Sequence, residues 1–338
     1  MINSKDFSFS KKEVEILFLI KYLALKETIK EYKHKSLSSL VFKEKAEKEE
    51  KKIRSLQEKW LSEWSEKATH LLKFNKEIEF LDIINELKKI DLTKGKLNSI
   101  IADCVTFTPF YPLKAKDRRF KNLSFDDRAY LKKLAMIFPR KYMDLRSCRS
   151  AFDRSIKVIS KDVSKNSNWL IWTSALALLA VIIAPHLATW IGSTFLGLSG
   201  AAATSAGLAL LGGGAISAGG LGMAGGTIAI MVGGAIIGYG VGSSKYKTHI
   251  RGLSNEAILL YCAQLCSVLD LYGKEKKLII KEYCKSSRIL QSDLEQDVDE
   301  YFINTYKLDR DKKKAKDLKR KPAILVSFRR YLRVMDLA

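Results

Sequence analysis

The feature that most constrains this chain is a run of 79 residues, Asn166–Ser244, without a single Asp, Glu, Lys or Arg. Crossing the hydrocarbon core of a bilayer takes roughly 20 apolar residues, so the run is long enough for more than one passage. It is also unusual in composition, because 17 of the 20 glycines in the chain fall between Gly192 and Gly242. Lysine-rich sequence stands on both sides. The chain therefore reads as three parts: a basic helical N-terminal domain over 1–165, a glycine-rich membrane hairpin over 166–244, and a C-terminal helical domain over 245–338 that packs with the first.

Within the run, Trp169–Ile191 is the strongest span. Trp169 and Trp172 stand at one end and Trp190 at the other, where amphipathic indoles prefer the membrane interface; Pro185 and His186 lie near the far end. A second passage is expected within Gly207–Val241. Lys157, Lys161 and Lys165 precede the run, and Lys245, Lys247 and Arg251 follow it. Positive flanks stay on the cytoplasmic side, so an even number of crossings suits both ends, and two crossings with both termini cytoplasmic is the expectation. Gly234, Gly238 and Gly242 form one row at four-residue spacing, and Gly222 and Gly226 form another. Residues four apart share a helical face, and glycine there lets two helices approach closely in lipid, which predicts a homo-oligomer. In water the same glycines weaken a helix by roughly 1 kcal/mol each, so the segment is conformationally adaptable.

The rest of the chain predicts helices. Val14–Leu25 is apolar but interrupted by Glu15 and Lys21, which favours a helix packed in a core over a membrane span. Ile53, Leu56, Trp60, Trp64, Ala68 and Leu71 recur at spacings of three and four, predicting a helix over about 41–74. Phe80, Leu81, Ile84, Leu87 and Ile90 suggest a third helix, ended by the turn-like Thr93-Lys94-Gly95. Helices are also expected over 150–165, over Asn255–Leu271 with Ser254 as N-cap, and as one or two segments over Leu278–Tyr306. After the basic run Arg310–Lys321, ended by Pro322, a last helix places Ile324, Leu325, Phe328, Tyr331, Leu332 and Met335 against Arg329, Arg330 and Arg333. No sustained period-two alternation argues for strands, so the expected fold class is all-α.

The formal net charge is +22, with excess basic residues on both sides of the uncharged run. Such an excess favours anionic partners, either lipid headgroups or nucleic acid. It is concentrated with aromatic rings over 104–149. Lys114, Lys116, Arg118, Arg119, Lys121, Lys132, Lys133, Arg140 and Lys141 are the candidate anionic-ligand residues, since interleaved cations and rings can follow a phosphate backbone and stack on bases. The same composition suits a helical domain with aromatics inside and lysines outside.

Enzyme signatures are lacking: the sequence has no GxxxxGK[ST], HExxH or GxSxG motif, and no cofactor or metal is expected. Gly220-Leu-Gly-Met-Ala-Gly225 matches GxGxxG, but no acidic residue follows before Glu256 and no βαβ pattern surrounds it. Five scattered cysteines without a secretory signal fit a reducing compartment. Cys262 and Cys266 have the spacing of half a metal site with no second pair nearby, which makes buried hydrophobes of them.

The segment Leu208–Gly226, rich in glycine and alanine, resembles the glycine-zipper hairpins of bacterial membrane effectors from antiphage and toxin-like systems, including the membrane effector of Hailong-type systems. The likeness is one of composition and covers about 80 residues. It implies a pore or ion channel in the bacterial inner membrane, assembled from hairpins and controlled by a ligand, plausibly an oligonucleotide, on the helical part. Pore-forming colicins also carry an apolar hairpin among basic helices, but theirs lies near the C-terminus, whereas here 94 residues follow the run. The alternative is a non-conducting membrane adaptor whose helices bind a protein or nucleic acid.

Overall fold

The computed structural model describes residues 11–32, 40–72, 77–107, 109–110, 119–120, 123–163, 255–305 and 312–337. The uncharged run, its tryptophans, His186 and the glycine rows lie outside these residues, as does Ser254. Among the described residues the regular elements are all helical, so the all-α expectation holds: α1 (Lys11–Lys30), α2 (Leu40–Leu72), α3 (Asp82–Lys88), α4 (Lys94–Thr106), α5 (Asp127–Ile137), α6 (Tyr142–Val163), α7 (Asn255–Asp270), α8 (Lys276–Thr305) and α9 (Lys312–Leu337). No helix among them is long and apolar enough to cross a membrane.

Two groups of helices meet at α4. On one side α1 packs against α2, α3, α4 and α5; on the other α6 packs against α4, α5, α7 and α9, and α8 packs along α9. One apolar cluster runs through both groups. In α4 every side chain from Asn98 to Thr106 is buried, as expected for a helix covered on all sides.

The sequence explains the local boundaries. Thr93, expected to end a helix, starts one: its hydroxyl accepts the Lys96 N–H at 3.2 Å, satisfying one of the orphan donors of the α4 first turn. Asp126 does the same for α5, taking the Ala129 N–H at 2.9 Å. That helix ends at Ile137, because Phe138 precedes Pro139 and the ring forces it to extended backbone. Gly273, at φ +55°, turns the chain between α7 and α8, a left-handed conformation that suits glycine.

Three expectations change. The buried positions of α3 are Ile83 and Leu87, four apart, while Leu81 is 64% exposed and precedes the helix. The helix expected from residue 150 starts at Tyr142, and its buried positions Leu145, Cys148, Ala151, Phe152, Ser155, Ile156, Ile159 and Ser160 form one helical face. The last helix, expected after Pro322, starts at Lys312 and carries Pro322 inside it; the proline is buried and lines a groove with Val298 and Asp299 of α8.

The stripes expected on α7 and α9 are present. Ile258, Leu259, Cys262, Leu265, Val268 and Leu269 are buried, as are Ile324, Leu325, Phe328, Tyr331 and Leu332. Helices α6 and α7 pack on each other. Cys148, near the start of α6, donates to the Ser267 carbonyl near the end of α7 at 3.4 Å.

Candidate anion-binding surface and the charges behind it

The aromatic part of the basic tract is mostly interior. Trp60 and Trp64 of α2 stack with ring centroids 5.8 Å apart; Phe110 meets Trp60 edge-on at 5.5 Å, and Phe125 lies 5.4 Å from Tyr130. Phe107 packs against Trp64 at 5.4 Å. The Tyr130 hydroxyl donates to the Cys104 carbonyl at 3.2 Å, and burial pushes its pKa up. These rings stabilise the body of the fold through area and ring geometry, and Trp60, Phe107 and Tyr130 are closed to a stacking base.

Several cations of the tract bind the chain itself. Arg119 makes a two-pronged bond to Glu63 of α2 at 2.9 and 3.0 Å, and Lys133 reaches Glu31 at 2.5 Å. Arg140 donates to the Asn98 side-chain oxygen at 2.9 Å. Arg149 donates to the carbonyls of Val105 and Phe107 at 2.9 and 3.2 Å, covering the C-terminal end of α4, where a cation also complements the helix dipole. Lys132 and Lys141 are exposed, as are Arg128 and Arg146; these four cations face solvent on α5 and α6 or beside them. Lys114, Lys116, Arg118 and Lys121 lie outside the described residues.

Behind this surface stands a pair the sequence gives little warning of. Lys21, which interrupts the apolar face of α1, is 3% exposed and forms an ion pair with Asp103 of α4, whose side chain is 0% exposed. Lys21 Nζ also lies 5.3 Å from the centre of the Phe107 ring. Asp103 Oδ1 meets no hydrogen-bond donor among the described residues, and burial raises the Asp103 pKa to about 6 even though Lys21 pulls it down. A carboxylate held this way is poorly solvated. Nearby, Lys96 and Glu13 pair at 2.6 Å with side chains 18% and 6% exposed, and Thr106 donates to Gln264 of α7 at 2.9 Å. The signal for such pairs is a lone charge inside an apolar helical face; its partner, 82 residues away, is not visible in the sequence.

Four of the five cysteines are buried, Cys284 being half-buried. Burial pushes the thiols of Cys262 and Cys266 up, as fits small core residues. No cluster of metal-binding side chains occurs among the described residues.

No family model, curated protein or solved structure matches this chain.

Proposed function

We propose that this chain is a membrane effector: the uncharged segment enters the bilayer as a helical hairpin, assembles through its glycine faces and forms or gates an ion-conducting pore, under the control of an anionic ligand on the basic helical body. The observation that carries this reading is the 79-residue uncharged run bounded by lysines on both sides. The packing of α6 on α7 supports it, since Cys148 near the start of α6 meets Ser267 near the end of α7, and Val163 and Asn255, the described residues that flank the run, are each at the other end of their helix from that contact. A segment that goes in and comes back needs its two ends near each other. In this reading the described helices form the part outside the bilayer, both termini are cytoplasmic, and the membrane is the bacterial inner membrane. The compositional likeness to defence effectors extends the proposal to antiphage defence, with an oligonucleotide as the plausible controlling ligand.

The test is membrane potential in bacterial cells expressing the full chain, followed with a potential-sensitive dye. Depolarisation is expected in the wild type and is lost in Gly234→Leu/Gly238→Leu at equal membrane content. Replacing residues 166–244 by an unrelated two-span anchor separates a pore from an adaptor. Depolarisation that survives this replacement would overturn the proposal.

A further inference from the structure

A second concentration of positive charge lies where α8 packs along α9, away from the basic tract. On α8, Cys284, Arg288, Gln291 and Glu295 recur at spacings of four, three and four, which is one helical face. On α9, Arg329 and Arg333 are four apart. Arg329 is half-buried and fixed from both prongs: one nitrogen donates to the Ser287 carbonyl at 3.1 Å, and the other donates to the Gln291 side-chain oxygen. Gln291 is itself held, donating to Glu295 at 2.5 Å. These acceptors on Arg329 are neutral, and three of its five N–H groups remain for another partner.

The electrostatics show the charges converging. Burial lowers the Arg329 pKa and the charge of Arg288 lowers it further; Cys284 opposes this, Arg333 adds a smaller lowering, and Glu295 opposes least. All three arginines also act on the half-buried Cys284 thiol, pulling down a pKa that burial raises. Among the described residues none of the three forms an ion pair. Two carboxylates bear on the group: Glu295, which is bonded to Gln291 and acts on Arg329, and Asp336 of α9, which acts on Cys284. Like charges on one face repel, and among the described residues no ion pair offsets that repulsion. A planar guanidinium fork held rigid by its own chain is the arrangement that recognises tetrahedral oxyanions through paired charge-assisted bonds.

We propose that Arg288, Arg329 and Arg333 form a binding site for a phosphate group, with Gln291 as the residue that positions Arg329. The ligand class is a phosphomonoester or pyrophosphate anion, carried either by a small soluble molecule or by a lipid headgroup. The site stands independently of whether the uncharged segment conducts ions.

The experiment uses the full chain purified in neutral detergent and titrated calorimetrically with inorganic pyrophosphate at constant ionic strength. A parallel arm measures co-flotation with phosphatidylcholine vesicles with and without phosphatidic acid. Saturable binding in at least one arm is expected, weakened about ten-fold by Arg288→Gln and again by Arg333→Gln, as for the loss of a charge-assisted bond. Lys51→Gln/Lys52→Gln, two exposed lysines of α2, leaves it unchanged. Pyrophosphate binding alone assigns a soluble ligand, and vesicle binding that requires phosphatidic acid assigns the headgroup. Arg288 is exposed, so its replacement leaves the fold intact, which circular dichroism verifies. Cys284 supplies an independent readout: a bound anion neutralises the arginines, raises the thiol pKa and slows alkylation several-fold. Absence of binding in both arms, or wild-type affinity retained in both Arg288→Gln and Arg333→Gln, overturns the site.

Discussion

Lys21 and Asp103 hold α1 to α4 through an ion pair that water scarcely reaches, with side chains 3% and 0% exposed. Taking both charges out of water costs several kcal/mol per ion, and their attraction returns that only with good geometry and further hydrogen bonds. Beyond the ion pair with Lys21, neither oxygen of Asp103 has such a bond among the described residues. The pair therefore serves to fix which face of α1 meets α4 more than to add stability.

Removing one partner and removing both have different outcomes. Lys21→Met leaves a buried carboxylate without its cation, and a loss of about 3 kcal/mol is expected at pH 7. Lys21→Met/Asp103→Leu recovers most of that loss. Denaturant unfolding of the full chain in detergent measures both, and a double variant less stable than the single one contradicts this account.

The Asp103 pKa gives a pH dependence with a definite sign. In the folded chain it lies at about 6, above its ordinary value of 3.8, so folding takes up a proton between these values. The contribution of this group to stability is full below pH 3.8 and is lost as pH rises through 6. Asp103→Asn flattens the slope in that window. The check is the unfolding midpoint from pH 4 to 7, compared between wild type and Asp103→Asn.

Thr93 tests the start of α4. Its hydroxyl caps a helix buried on every side, and Thr93→Ala removes a bond that only water would replace. A loss of about 1 kcal/mol is expected, with Thr93→Ser close to wild type. Equal stability of the alanine and serine variants would show that the cap contributes nothing.

The basic tract makes a prediction in solution. Lys132 and Lys141 are exposed, whereas Arg119 and Lys133 are held by Glu63 and Glu31. If the tract binds an oligonucleotide, affinity falls steeply with salt, and Lys132→Gln/Lys141→Gln lowers the slope by about 1.4. Binding that is insensitive to salt, or none at low salt, removes nucleic acid as the ligand of this surface.

How much of this was legible in the sequence differs by residue. The stripes of α7 and α9 were readable because apolar side chains at spacings of three and four have one physical use, a buried helical face. Thr93-Lys94-Gly95 was misread because the same polar residues suit the end of one helix and the start of the next. The start of α9 was placed after Pro322 because a proline inside a helix removes a backbone donor, whereas α9 begins at Lys312 and runs through it.

The sequence by itself determined that the chain is helical, that it carries a 79-residue segment without charge, and that basic residues dominate on both sides. These follow from periodicity and composition, which are local properties. Only the tertiary structure decided that Lys21 meets Asp103, that Arg119, Lys133 and Arg140 are used within the fold, and that Arg288 joins Arg329 and Arg333. Each of these depends on helices far apart in the chain being brought face to face. The strength of a charge is set by what surrounds it, and that environment exists only once the helices have packed.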